Sequence, residues 1–161
     1  MKIFDCFMYF DEDVILDVRL NTLYKYVDYF IIVESSFTHK GDKRDLKFNL
    51  DNFSKFKDKI IYLIYDKEPT QVEPINKGDN ENLKNHKSIF NASYRENGQR
   101  NFIIEGIKNA KDDDIILVSD IDEIPILENI NFRDFKVIFI FFNHVMFYYR
   151  FNLKLPNYNW V

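Results

Sequence analysis

A four-residue aliphatic run that ends in a cluster of carboxylates is the feature that most constrains this chain. Residues 115–118 are uniformly apolar, which is typical of a strand buried on both faces inside a parallel sheet. Asp120, Asp122 and Glu123 follow within five residues, and Pro125 comes shortly after them. Because ligands of open α/β sheets bind beyond the carboxyl ends of the strands, these carboxylates are predicted to lie at a ligand site.

The carboxylate oxygens of this cluster suit a hard divalent cation. Asp120, Asp122 and Glu123 are the predicted ligands of Mn²⁺ or Mg²⁺, since such ions are commonly held by one or two carboxylates together with substrate phosphates. The competing interpretation is a solvated Asp-x-Asp-Glu turn that binds nothing. The position directly after a buried type of strand favours the metal site.

The composition predicts a soluble α/β domain. The chain has 161 residues, enough for one domain with a hydrophobic core. Its net charge of -4 is mild, so no basic surface favours nucleic acid. The single cysteine, Cys6, excludes an internal disulfide and suits a reducing compartment. No apolar run approaches the roughly 20 residues of a membrane span, so we expect a cytoplasmic protein without a transmembrane segment.

The order of the remaining patterns predicts a mostly parallel sheet flanked by helices. Leucines recur at helical spacing after the acidic residues 11–13, and a short helix is expected at 52–59. A second helix is expected from about 89 to 110, with Gly98 interrupting its early part and with an inner face made of Phe102, Ile103, Gly106, Ile107 and Ala110. The stretch 66–87 between them is expected to be a loop. Alternation of strands and helices indicates parallel strands joined by right-handed crossovers. Three further stretches have the apolar character of strands: 2–8, 29–33 and 60–65.

Two aromatic-rich runs near the C-terminus, 135–142 and 145–151, predict an antiparallel hairpin at the edge of the sheet. Asn143 and His144 would form its turn. His144 is interpreted as a turn or core residue, with completion of a metal shell as the alternative. No internal repeat or domain boundary is visible, so residues 1–161 are expected to form a single domain.

Four basic residues outside these patterns have two interpretations each. Arg19 is expected on the surface of the first helix or in an ion pair, with contact to a ligand as the alternative. Lys40, Lys43 and Arg44 are expected to form a solvated loop rather than a binding surface.

One set of segments is informative because of its order along the chain: 5–7 with Phe10, 18–23, 27–35, Arg95-Glu96 with 99–101, and 119–125, with 157–160 extending the set. Taken together in this order, these segments resemble glycosyltransferase family 17. The resemblance implies a GT-A fold, in which a Rossmann-like sheet binds a nucleotide-sugar and an Asp-x-Asp motif holds a divalent metal on the diphosphate. Asp-x-Asp alone is weakly specific, whereas the ordered set is fairly specific.

The resemblance also implies the residues of the site. Asp120 would lie towards the ribose and Asp122 would bind the metal, while Glu123 would be a ligand or support one. Arg100 suits bidentate contact with a phosphate, with an ordinary helix-surface arginine as the alternative. The residues predicted in this way to bind the nucleotide-sugar are Asp5, Cys6, Phe7, Glu34, Ser35, Gln99, Arg100, Asn101 and Asp120.

The activity implied is that of a metal-dependent, inverting glycosyltransferase that moves N-acetylglucosamine from a UDP donor to a glycan acceptor. An inverting enzyme needs a carboxylate base, and Glu128 and Asp134 are the only acidic residues after Pro125. Neither lies in a convincing motif, so the base is expected to lie outside the chain. Family members continue past the tryptophan that matches Trp160, and we therefore expect this chain to be the N-terminal part of such an enzyme.

Two alternatives stand beside this interpretation. The first is a nucleotide-sugar-binding fragment without turnover. The second is a phosphatase of the haloacid dehalogenase type, which uses the first Asp of Asp-x-Asp as its nucleophile. In those phosphatases the motif typically ends the first strand and is followed by Thr or Val. Here it ends the fourth predicted strand and is followed by Glu123, which counts against a phosphatase.

Overall fold

A computed structural model describes residues 1–147 and 152–160, the last four of these by their backbone alone. The chain forms two compact units, Met1–Asp122 and Glu123–Val161. The first unit contains a sheet with two α-helices, and the second contains a small hairpin. That residues 1–161 act as a single domain stays a prediction.

Four parallel strands form the sheet of the first unit. Their order is β3-β2-β1-β4, and each neighbouring pair is parallel. The register places Cys6 beside both Ile31 and Val118, and Tyr9 beside Glu34. This confirms the predicted mostly parallel α/β sheet, with its strands at the four apolar runs. The strands are β1 (Ile3–Tyr9), β2 (Tyr29–Ser35), β3 (Ile60–Tyr65) and β4 (Ile115–Val118).

Helix α1, Asp13–Leu23, connects β1 to β2 as predicted. Asp13 lies in its first turn, where a negative charge is favourable because of the helix dipole. Leu16, Leu20 and Leu23 recur at intervals of three or four residues and are fully buried. The apolar stripe of this helix therefore packs into the core, as its spacing indicates.

Helix α2 spans Glu81–Asn101 and begins earlier than the expected start near residue 89. Asn80 caps it, because its side chain accepts a hydrogen bond of 2.9 Å from the backbone N–H of Leu83. The first turns of α2 are largely exposed, so they lack the apolar periodicity that marks a buried helix face. The predicted loop consequently ends at residue 80 rather than 87.

The residues predicted as the inner face of that helix lie beyond its end. Phe102–Glu105 is a 3₁₀ turn, and Gly106 packs so closely against Ile31 that a Cβ would clash with that side chain. Ile103 is buried, and Ile107 packs against the same core. Their predicted burial is confirmed. The predicted α-helical geometry is wrong, because residues 102–105 form a 3₁₀ turn before Gly106 packs against Ile31 of β2.

The short helix expected at 52–59 is a 3₁₀ segment, Leu50–Phe56. Asn49 caps it by accepting a hydrogen bond from the backbone N–H of Asp51, and Phe53 and Phe56 are buried. Among the described residues, no helix combines the length and the apolar character needed to cross a membrane.

Gly98 in α2 lies close to Tyr65, the last residue of β3. Gly98 does not interrupt the helix, and a Cβ there would clash with the hydroxyl group of Tyr65. We therefore expect Gly98→Ala to lower the free energy of unfolding by about 1–3 kcal/mol, the usual cost of overpacking. This is expected although alanine favours a helix by about 1 kcal/mol over glycine.

Gly78→Ala is the matched control, because no heavy atom lies within 4 Å of the Cβ position at Gly78. Its free energy of unfolding is expected to stay within about 0.5 kcal/mol of the wild-type value. Urea unfolding of both variants measures the difference. A Gly98→Ala variant as stable as the Gly78→Ala variant would show that the contact with Tyr65 is easily relieved.

The second unit contains the two-stranded antiparallel sheet of β5 (His144–Phe147) and β6 (Lys154–Trp160). A C-terminal hairpin is therefore confirmed, but the choice of its strands is partly wrong. Residues 135–142 form no strand, since Ile138 and Phe139 there are exposed and lack the half-buried surface on which β-formers pack. His144 begins β5 instead of forming the turn, and the predicted strand residues 148–151 lie outside the described residues.

Candidate active site

A buried arginine ties the first strand to the Asp-x-Asp turn. The side chains of Arg19 in α1 and Asp5 in β1 are both 0% exposed. Nε and Nη2 of Arg19 donate to the two carboxylate oxygens of Asp5 at 2.8 and 2.7 Å. Nη1 donates to the backbone carbonyls of Asp120 and Ile121 at 2.7 and 3.0 Å, and Nη2 also donates to Ser119 Oγ at 2.7 Å. One side chain therefore fixes the backbone of the turn that carries the predicted metal ligands.

Arg19 was expected either on the surface or in an ion pair, and the structure has the ion pair. The sequence contained a signal for burial, because Arg19 lies three residues after Leu16 and four before Leu23, on the apolar stripe of α1. A buried arginine needs good hydrogen-bond geometry to offset its desolvation, and the two-oxygen contact with Asp5 provides it. The guanidinium also lies 4.5 Å from the ring centroid of Phe7.

The first three residues predicted to line the nucleoside are buried. Asp5 and Phe7 contact Arg19, while Cys6 belongs to the apolar core cluster on the opposite face of β1. Burial, followed by the negative charge of Asp5, raises the pKa of the Cys6 thiol well above its ordinary value. Direct binding of the nucleotide-sugar by these three residues stays a prediction.

Arg100 brings helix α2 to the same turn. Its Nη2 donates to Asp120 Oδ1 at 2.9 Å and to Glu96 Oε1 at 3.3 Å. Although partial burial lowers it, the hydrogen bonds and negative charges of these two carboxylates raise the pKa of Arg100 above its ordinary value. Its described contacts use only Nη2, so Nε and Nη1 have no partner among the described residues.

The two residues next to Arg100, Gln99 and Asn101, have no described contact with the Asp-x-Asp turn. Gln99 is buried, and its Nε2 donates to the backbone carbonyl of Val33 at 2.8 Å, which anchors α2 to β2. Asn101 is exposed at the last position of the helix. Of the three α2 residues predicted to bind the nucleotide-sugar, the structure therefore brings Arg100 into contact with Asp120.

The two aspartates of the Asp-x-Asp turn present oxygen atoms of the kind that Mn²⁺ and Mg²⁺ bind. Asp120 has 49% of its side chain exposed, and Asp122 is exposed without a hydrogen bond or ion pair to any described residue. This donor set fits the one or two carboxylates that commonly hold such a cation beside phosphates. Within residues 1–147 and 152–160, no three Asp, Glu, His or Cys side chains gather into a metal-binding group. Glu123, the third predicted ligand, is the first residue of the second unit.

Glu34 organises the loop that follows β2. Its carboxylate is fully buried and accepts hydrogen bonds from the backbone N–H groups of Lys47 and Phe48 at 2.7 and 3.1 Å. The Tyr62 hydroxyl donates to it at 2.8 Å, and Arg44 pairs with it at 3.0 Å. The contacts with Lys47, Phe48 and Arg44 hold the loop, whereas Tyr62 lies on β3. Binding of the nucleotide-sugar by Glu34 stays a prediction.

Arg44 is not solvated as predicted. Its side chain is only 8% exposed, because the buried Glu34 requires a cation beside it. Arg44 also donates to the backbone carbonyl of Ser35 at 3.0 Å, while Ser35 Oγ accepts a hydrogen bond from the backbone N–H of Phe37. This second cluster lies on β2, two strands from β4, a separation of about 10 Å at ordinary strand spacing.

Comparison with known proteins gives one family and three relatives. The family model of glycosyltransferase family 17 matches residues 1–160. Three curated proteins named beta-1,4-mannosyl-glycoprotein 4-beta-N-acetylglucosaminyltransferase, from Homo sapiens, Rattus norvegicus and Mus musculus, are each 30% identical to this chain over 122 residues. The alignments cover 73% of this chain but 21%, 20% and 20% of those proteins, so the chain spans about a fifth of their length. No solved structure matches.

Proposed function

Because the chain belongs to glycosyltransferase family 17, we propose that it binds a UDP-sugar and transfers N-acetylglucosamine to a β-mannosyl glycan. The names of the three relatives specify this sugar and this type of acceptor. The structural observation that carries the proposal is the Asp-x-Asp turn at the carboxyl end of β4. Arg19 and Arg100 hold this turn, while the carboxylate of Asp122 is exposed and has no partner among the described residues.

In this proposal Asp120 and Asp122 hold Mn²⁺ or Mg²⁺. A cation bound there would supply the positive charge that neutralises the donor diphosphate and its departing form. Two carboxylates close to a diphosphate otherwise repel it, so nucleotide binding should depend on the metal.

In this proposal two arginines position the turn and contact the donor phosphate. Arg19 holds the carbonyls of Asp120 and Ile121 in the chain without a bound donor, so this part of the turn need not be ordered when the donor binds. Arg100 orients the Asp120 carboxylate through Nη2, and its Nε and Nη1 are available to donate to a phosphate oxygen.

The transfer breaks the bond between the anomeric carbon and the diphosphate oxygen and forms one to an acceptor hydroxyl oxygen. An inverting reaction also needs a base to accept the proton of that hydroxyl. Glu128 and Asp134 are both exposed in the second unit, and Asp134 Oδ1 accepts a hydrogen bond of 2.9 Å from Asn131. Neither has a contact that indicates a base, so no described residue is assigned that role.

The test is transfer by the full 161-residue chain. The chain is incubated with UDP-N-acetylglucosamine, Mn²⁺ and an oligosaccharide bearing a β-mannosyl residue. The masses of the products are then measured by mass spectrometry. The expected product is the acceptor heavier by one N-acetylhexosamine, with UDP released. Metal-dependent donor binding without product would support the alternative of a binding fragment without turnover. Absence of both binding and product would contradict the proposal.

A further inference from the structure

A polar pocket lies beside α2, and its lining does not include the Asp-x-Asp turn. Its volume is about 240 Å³, and it is formed by the loops that follow β2 and β3 together with one face of the helix. Lys40 comes from the first loop, Glu73 and Pro74 come from the second, and Ser88 and Asn91 come from α2. All of these residues belong to the first unit of the chain.

Contacts between the two loops and α2 fix the walls of this pocket. Asn91 is buried, its Oδ1 accepts from the backbone N–H of Glu73 at 2.9 Å, and its Nδ2 donates to the Glu73 carbonyl at 2.7 Å. Arg95, also in the lining, donates to Glu68 through Nε at 3.0 Å and to the backbone carbonyl of His39 at 3.0 Å. One helix therefore holds both loops, and the pocket exists before any ligand binds.

Three polar side chains of the lining keep their hydrogen-bonding capacity. Lys40, Glu73 and Ser88 are exposed, and their side chains contact no hydrogen-bond or ion-pair partner among the described residues. An ammonium donates, a carboxylate accepts and a hydroxyl does both, which matches the mixed donors and acceptors of sugar hydroxyl groups. Val72 and Ile75 add apolar surface for the C–H face of a ring. Lys40 is balanced by Glu73, and Arg95 is paired with Glu68, so the lining carries no excess positive charge that would favour a phosphate.

We propose that this pocket binds one neutral sugar ring of the glycan acceptor, an inference that rests on the proposed function. The volume is below the roughly 300–1,000 Å³ of pockets for drug-sized ligands, which suits a single ring. Helix α2 also carries Arg100, which contacts Asp120. At 1.5 Å per residue, Arg95 and Ser88 lie about 8 and 18 Å along the helix axis from Arg100. The bound ring is therefore remote from the reacting hydroxyl and contributes to the affinity for the acceptor.

A matched pair of substitutions on α2 tests this site. Ser88→Tyr places a large side chain in the pocket, whereas Ser93→Tyr makes the same change at another exposed position of the helix, outside the pocket. The full chain and both variants are titrated by calorimetry with a β-mannosyl oligosaccharide and, separately, with UDP in the presence of Mn²⁺. We expect Ser88→Tyr to weaken oligosaccharide binding by about tenfold or more and Ser93→Tyr to change it by less than about twofold.

The two titrations separate the pocket from the donor site. Unchanged oligosaccharide affinity in Ser88→Tyr, or no oligosaccharide binding by the wild-type chain, overturns the pocket assignment even if UDP binds. The pocket assignment is supported if the wild-type chain binds the oligosaccharide and Ser88→Tyr weakens that binding. If UDP then fails to bind the wild-type chain, the result contradicts only the proposed donor site. Equal weakening by Ser88→Tyr and Ser93→Tyr would show a general effect on α2 and would also overturn the assignment.

Discussion

Replacing Arg19 with methionine is expected to lower the free energy of unfolding by about 3–5 kcal/mol, because it leaves the Asp5 carboxylate buried without a counter-charge. Both side chains are 0% exposed, so water cannot replace the lost partner without disrupting the core. The Asp120 and Ile121 carbonyls also lose their described donor. Urea unfolding of the variant measures the loss.

Two further variants show whether the buried charge is the cause. Asp5→Leu combined with Arg19→Met removes both charges, and it should recover part of the lost stability because an apolar pair can replace a buried ion pair. Arg133→Met changes an exposed arginine, and its effect should stay within about 0.5 kcal/mol. If Arg19→Met costs no more than Arg133→Met, the network does not hold the first strand and the turn together.

Asp122→Ala is expected to abolish metal-dependent UDP binding without destabilising the metal-free protein. Asp122 is exposed and contacts no described partner, so its removal breaks no hydrogen bond there. It also removes a negative charge that lies two residues from Asp120 and next to Glu123 in the sequence. The melting temperature without metal should be unchanged or slightly raised. A turn aspartate that caps backbone amides would instead cost about 0.5–2 kcal/mol when replaced with alanine. The melting temperature and Mn²⁺-dependent UDP binding of the one variant distinguish the two roles.

Asp112→Ala removes another exposed carboxylate and serves as the control, with UDP binding expected to match that of the wild type. A clear loss of stability in Asp122→Ala, with nucleotide binding intact, would make Asp122 a structural residue. That outcome would remove the main support for a metal site at the turn.

The parallel sheet could be predicted because its strands are short apolar runs. The expected burial of β4 on both faces is wrong in part, because β4 is an edge strand in which Leu117 is buried but Val118 is 52% exposed. β4 and the carboxylates after it were predicted from this pattern alone, and the family resemblance is confirmed by the match over residues 1–160. Helix α1 was predictable for the same reason, since its leucine stripe is buried. Buried elements can be recognised in the sequence by a continuous apolar run for a strand or by a periodic apolar stripe for a helix.

Elements whose apolar pattern does not reflect their structure were predicted incorrectly. The exposed start of α2 has no apolar stripe, although Asn80 at its cap is a recognisable signal. The aromatic run at 135–142 is rich in β-formers, but a strand also needs a partner and a surface to cover.

The charge pairs could not be read from spacing either, because Arg19 lies 14 residues from Asp5 and 101 from Asp120. Burial makes such pairs specific, and the pattern of apolar residues does not say which charges meet. The metal, the UDP donor, the inverting mechanism and the cytoplasmic location stay predictions.

Calorimetric titration of UDP into the wild-type chain tests the central claim most directly. One titration contains Mn²⁺ and the other contains EDTA, with protein and buffer otherwise identical. Since Asp120 and Asp122 would face the diphosphate, we expect binding with Mn²⁺ and little or none with EDTA. Equal affinity in the two titrations would contradict a metal-dependent nucleotide site at the Asp-x-Asp turn.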